Sequence, residues 1–212
     1  MKTIDNFKNE DDVANGVAQL ISAHPIFNQI YEKSGPPRPR GTKGGFAALA
    51  HMIVEQQVSL ASAAAIWARV KKGVVPFTAK RMLELTDEEI GQIGLSRPKQ
   101  KYMRALAQTV EDGDLSFRKL PYMNDADVLT SLIQVKGIGR WTAEVYLLAV
   151  LGRPDVMPSG DLALQVAAQD LLKLDARPTE KQMDEISCIW SPWRAVAARL
   201  LWEHYRILTG KG

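Results

Sequence analysis

The chain has 212 residues, 46% hydrophobic and 24% charged, the composition of an ordinary globular domain rather than a fibrous or disordered chain. A single cysteine, Cys188, excludes a disulfide scaffold and a four-cysteine zinc or iron–sulfur site built by this chain alone. The net charge of +3 admits an anionic partner without requiring one; no apolar run reaches the ~18 residues of a membrane span, and the polar start lacks a signal-peptide core, so a reducing cytosol is the expected location.

Apolar spacing predicts helices almost throughout. The first covers 11–23, with Val13, Val17, Leu20 and Ile21 on one face. The run Ser34-Gly35-Pro36-Pro37-Arg38-Pro39-Arg40-Gly41 then reads as a loop or linker. Helices follow over 46–56 and 59–70, the second ended by Lys71-Lys72-Gly73. Thr86 with Glu89 three residues on forms a capping box that opens a short helix over 86–93. Further helices are predicted over 97–111, 125–133 and, after the turn Gly137-Ile138-Gly139, 140–151. Beyond Pro154 and Pro158 come 161–172, 179–189 with Thr179 as cap, and 192–208 with Pro192 in its first turn. No convincing alternation, internal repeat or low-complexity tract is present, so the expected fold is all-α.

The stretch 132–143 carries the most information. A helix that stops at a Gly-x-Gly turn and restarts at once exposes backbone N–H groups at the new N-terminus, where an anion is favoured. Glycines let a phosphate approach closely, and Lys136 and Arg140 add cations beside Gly137 and Gly139. A dinucleotide fingerprint fits poorly, because its third glycine would fall at Thr142 and a strand should precede the turn. A plain helix–turn–helix connection with a glycine cap stays open on these residues alone.

The longer pattern resembles the helix–hairpin–helix DNA glycosylase superfamily. There the hairpin is followed by Thr-Ala, an apolar helix, a proline and an aspartate; here these are Thr142-Ala143, residues 144–151, Pro158 and Asp161. Ile53-Val54-Glu55-Gln56-Gln57-Val58-Ser59 is similar to the segment that enters DNA at the extruded base, and Gly94-Leu95-Ser96-Arg97-Pro98-Lys99 to the connector after it. Pro192-Trp193-Arg194 through Leu201-Trp202 resembles the C-terminal helix of the DNA-3-methyladenine glycosylase II branch. The matches cover about 45–205 in order. The resemblance implies a two-lobed helical fold with the active site in the cleft between lobes. The middle lobe would span about 49–152, and the second would combine 1–48 with 153–212.

It also implies the chemistry. Breaking an N-glycosidic bond builds positive charge on the sugar, which a fixed carboxylate stabilises. Asp161 holds that place in the pattern, although an Asp before an apolar helix can equally be a plain N-cap. Trp141 stands where strand-cleaving members carry a lysine nucleophile, which implies a monofunctional enzyme leaving an abasic site. Adenine-excising relatives carry a glutamate where this chain has Met52, so the implied substrates are cationic alkylated purines such as 3-methyladenine and 7-methylguanine. Trp141, Trp202 and, one residue out of register, Tyr146 are the implied aromatic contacts to the flipped base. Gln57 matches the wedge that fills the vacated stack, and Lys136, Gly137, Gly139, Arg140 and Thr142 are the implied DNA contacts.

Lys99, Lys101 and Arg104 give one helix a basic face that could meet phosphate. His24, His51 and His204 show no ligand spacing, and no cofactor is expected. The resemblance allows one structural Na+ or K+ on the backbone carbonyls of Ile133, Val135 and Ile138. The expected protein is a monomer that binds damaged double-stranded DNA and no membrane, in the bacterial nucleoid or a nucleus. A non-catalytic hairpin module and a glycosylase–lyase remain open.

Overall fold

The computed structural model describes residues 6–37 and 44–210, and among them there is no strand. Residues 38–41 of the proline- and arginine-rich run lie outside the described residues. In chain order the helices are α1 (Glu10–Ala23), α2 (Asn28–Ser34), α3 (Phe46–Glu55), α4 (Leu60–Gly73), α5 (Ala79–Glu84) and α6 (Asp87–Gln92). They continue with α7 (Arg97–Glu111), α8 (Asp125–Ile133), α9 (Arg140–Ala149), α10 (Leu162–Leu172), α11 (Glu180–Ser187) and α12 (Arg194–Thr209).

Caps explain most of the boundaries. Thr86 and Glu89 exchange the reciprocal bonds of a capping box at α6, and Thr179 and Gln182 do the same at α11. A third box, Asn9 with Asp12, opens α1 one residue ahead of the sequence reading. Several expected ends move, three of them as follows. α4 runs through Lys71, Lys72 and Gly73, because cations in a last turn favour the helix end rather than terminate it. α9 stops at Ala149; Gly152 then turns with φ 66°, and a Cβ there would strike the Phe7 carbonyl oxygen. Pro192 lies outside α12, which starts at Arg194 after a cis Ser191–Pro192 bond.

The chain forms two compact units. One is continuous, 44–146 among the described residues; the other joins 6–37 to 147–210. The division falls earlier than the expected 49 and 152. On the C-terminal side the cause is Leu148: it is fully buried in the core of the discontinuous unit although it sits on α9.

In the continuous unit α7 packs on α3, α5 and α6. Its Met103, Leu106 and Ala107 repeat at helical spacing and are fully buried, as are Leu49, Ile53 and Met82. Each large side chain removed from water contributes about 1.5–3 kcal/mol. In the discontinuous unit α12 is the axis, with every residue from Ala195 to His204 buried and α1, α2 and α10 packed on it. Small residues permit this closeness: a Cβ on Gly16 would lie 2.8 Å from Val196 and 3.1 Å from Trp193. Trp190 fills the middle, edge-on to Phe27 at 5.2 Å. No described helix is long and apolar enough to cross a membrane.

Candidate functional site

The hairpin lies in the continuous unit. α8 is capped by Asn124, whose side chain accepts from Asp127 N–H at 2.9 Å. The turn after it closes through Val135 N–H to Leu132 O at 3.1 Å and Ile138 N–H to Val135 O at 2.9 Å, with Val135 and Ile138 buried as its anchors. Gly137 adopts φ 92°, and a Cβ there would sit 2.7 Å from Cδ2 of Tyr102 and closer still to Cγ. The glycine is therefore fixed twice, by its backbone and by an aromatic ring from α7. Gly139 is different: nothing lies within 4 Å of its missing Cβ, and its carbonyl accepts Ala143 N–H at 3.1 Å. Lys136 and Gly139 are exposed at the N-terminal end of α9, open to an approaching anion.

Gln56 ties this turn to α3. Its Nε2 donates to Gly137 O at 3.0 Å and to Thr142 Oγ1 at 3.1 Å. Lys99 reaches the same helix end, donating from Nζ to Val54 O at 2.6 Å, and burial lowers its pKa. Gln57, next along, is exposed and holds φ 56°, rare for a residue with a side chain. It and Val58 lie exposed in the turn that follows α3.

Several expectations change here. Thr142 is buried and its hydroxyl faces Gln56, so any contribution to anion binding falls to its backbone N–H. Tyr146 is buried; its ring lies 6.3 Å from Phe117 and its hydroxyl accepts Gly45 N–H at 3.5 Å. Burial raises its pKa. The basic face on α7 dissolves, because Lys99 is buried and Arg104 donates to Leu85 O and Asp87 Oδ1, both at 2.8 Å. Only Lys101 of the three is exposed. Arg140 is half-exposed and donates to the buried Glu144 at 2.8 Å.

The discontinuous unit carries Asp161. It is the N-cap of α10: Oδ1 accepts from Ala163 N–H at 2.9 Å and Leu164 N–H at 3.1 Å. The turn before it is buried and braced. Ser159 N–H bonds Met157 O at 2.8 Å, Asp161 N–H bonds Pro158 O at 2.9 Å, and the buried Gln165 amide donates to Ser159 O at 2.8 Å. Upstream, Arg194 grips Asp155 through Nε to Oδ1 at 2.6 Å and Nη2 to its carbonyl at 2.9 Å, while Ser191 bonds Oδ2 at 2.9 Å. The Asp155 carboxylate raises the pKa of Arg194. Asp161 is thus half-exposed on a hydrogen-bonded loop at the N-terminus of α10. Trp202 is buried on α12 at the edge of that unit's core, and Trp141 is half-buried on α9. Gln56, Tyr102 and Gln165 are the positioning residues that the sequence reading missed; the Gly137 requirement was the one available signal for Tyr102.

The hydrogen-bonded Gly-x-Gly turn thus joins two helices, and a carboxylate caps a helix start some twenty residues later. Residues 50–192 match the HhH-GPD superfamily of base excision DNA repair proteins, and the chain belongs to that superfamily. It is 29% identical over 87% of its length to a DNA-3-methyladenine glycosylase of Bacillus subtilis and 30% identical over 79% to DNA-3-methyladenine glycosylase 1 of Schizosaccharomyces pombe, of which it covers 75%. The chain spans 65% and 55% of the length of two Bacillus subtilis relatives. Among solved structures it resembles a Bacillus halodurans DNA-3-methyladenine glycosidase (TM-score 0.80, 30% identity, 92% of this chain and 91% of that one). A Schizosaccharomyces pombe 3-methyladenine DNA glycosylase in complex with abasic DNA is also similar (TM-score 0.81, 26% identity, 89% and 95%).

Proposed function

We propose that the protein is a monofunctional DNA glycosylase that excises alkylated purines from double-stranded DNA. The observation that carries the reading is Asp161, a carboxylate on a braced loop with one oxygen accepting two helix N–H groups. The C1′–N bond breaks with its electrons leaving on the cationic base, which departs neutral. The ionised Asp161 stabilises the positive sugar, water adds at C1′, and its proton passes to solvent. Trp141 and Trp202 supply the aromatic surfaces for a cationic ring, and Gln57 fills the stack left by the flipped nucleotide. The backbone N–H groups around Gly137 and Gly139, with Lys136 and Arg140, hold the phosphates.

The neutral carbonyl oxygens of Ile133, Val135 and Ile138 suit a hard monovalent cation, and Val135 O keeps a second lone pair beside its bond from Ile138. Na+ or K+ bound there would stiffen the turn and take no part in bond breaking. The protein acts as a monomer, in a nucleoid or nucleus.

Release of methylated purines from alkylated duplex DNA by the wild type and by Asp161→Asn tests the reading, with binding to an abasic-analogue duplex measured alongside. Release that collapses in a variant still able to bind is expected. Equal release by both would remove Asp161 from the chemistry, and a borohydride-trapped adduct would replace hydrolysis with lyase chemistry at an amine such as Lys136.

A further inference from the structure

Gln56 joins two parts of the continuous unit that are far apart in sequence. Both protons of its amide are committed to the hairpin, one to Gly137 O and one to Thr142 Oγ1. Both acceptors are themselves fixed: Gly137 by φ 92° and the Tyr102 ring, Thr142 by burial. On the other side, Gln56 precedes Gln57, whose left-handed backbone is otherwise taken only by glycines among the described residues of this unit. The last turn of α3 is held by the Lys99 ammonium on Val54 O. The backbone that leads into the exposed Gln57 and Val58 is therefore tied, through Gln56, to the hairpin turn.

We infer that Gln56 is a positioning residue that sets the distance and register between the hairpin's grip on the DNA backbone and the side chain that enters the stack. The inference rests on the glycosylase reading, because it gives Gln57 the wedge role. A spacing fixed in advance lets phosphate binding deliver Gln57 to one base step, so that a vacated or weakened step is preferred over an intact one. Loosening the link leaves both parts present but their relative placement undetermined, and the preference falls.

The experiment measures the affinity of the full chain for an undamaged duplex and for the same duplex with a tetrahydrofuran abasic analogue. The variants are Gln56→Leu, which keeps a branched apolar side chain but donates nothing, Gln57→Ala, and the double variant. Gln56→Leu is expected to lower the preference for the analogue about tenfold, the equivalent of one or two net hydrogen bonds. Because Gln56 acts through Gln57, the double variant should be no worse than Gln57→Ala alone. Full additivity, or an unchanged preference in Gln56→Leu, overturns the inference. If thermal melting shows that Gln56→Leu does not fold, Thr142→Val removes one of the two acceptors and the same non-additivity with Gln57→Ala is required. A wild type with no preference for the analogue also overturns the inference. Preserved coupling without purine release overturns the catalytic reading alone.

Discussion

Replacing Gly137 with alanine separates backbone strain from packing at the hairpin. At φ 92° an L-residue meets the left-handed penalty of about 1–2 kcal/mol. Its methyl group must also displace the Tyr102 ring, an overpacking cost of about 1–3 kcal/mol. Together these destabilise the protein by roughly 2–5 kcal/mol, and in a chain of this size each kcal/mol lowers the melting temperature by about 2–4 °C. Thermal melting of Gly137→Ala, Tyr102→Ala and the double variant gives the partition. The alanine should cost less when Tyr102 is already absent, by a coupling of about 1–3 kcal/mol, with the backbone part persisting. Zero coupling would refute the ring's place against Gly137, and a melting temperature within about 2 °C of wild type would refute the strain as well.

Gly139→Ala is the counterpart: with open space at its Cβ, only the poorer N-cap is felt and stability should fall by no more than about 1 kcal/mol, while affinity for duplex DNA falls by about tenfold; anisotropy binding and melting in parallel check both. Asparagine at 161 keeps the cap and loses only the charge, so Asp161→Asn should stay within about 1 kcal/mol of wild type and Asp161→Ala lose about 1–2 kcal/mol, as denaturant unfolding reads. Excision by both variants should nevertheless drop by about 10²–10³ in single-turnover assays, since activity follows charge rather than capping. Tyr146→Phe should change excision less than twofold or so and stability by less than about 1 kcal/mol, because its hydroxyl makes one long bond in the core. Asp170 accepts from His204 Nε2 at 2.8 Å, and that bond lowers its pKa; the stability it adds is present above the ordinary aspartate value and lost as pH falls through the lowered one. Urea melts of Asp170→Asn and wild type should therefore converge in acid and separate, by no more than about 1 kcal/mol for a half-exposed group, near neutral pH.

The helices were legible where local chemistry decides them. Thr86 with Glu89 acts over four residues, and α6 falls where that capping box puts it. α2 and α5, seven and six residues long, escaped because so short an apolar pattern has no period to detect; Met82 and Ile30 reveal their inward faces only through burial. At the candidate site, the helix start at Asp161 and the turn at the two glycines could be placed because the pattern constrains the backbone. The partners of Lys99, Arg104, Thr142 and Gln56 could not, since they depend on which carbonyl or hydroxyl lies across the fold.

The discontinuous unit also dictates an order of events during synthesis. α1 and α2 are made before the continuous unit, yet the helix they cover, α12, is made after it, and Phe7 N–H waits for Gly152 O to close the join at 2.8 Å. At about 5–20 residues per second, the two leading helices spend on the order of ten seconds or more without their partner. The intervening unit, with its own core, can fold during that interval and bring the ends of the gap together. Loop-closure entropy grows only logarithmically with length, so the inserted hundred or so residues burden the final docking far less than their number implies. Nascent chains stalled once residues 44–146 have emerged from the ribosome, but before α12 has, should therefore carry a protease-resistant middle and a cleavable α1–α2 segment, and the protection of that segment should arrive with α12.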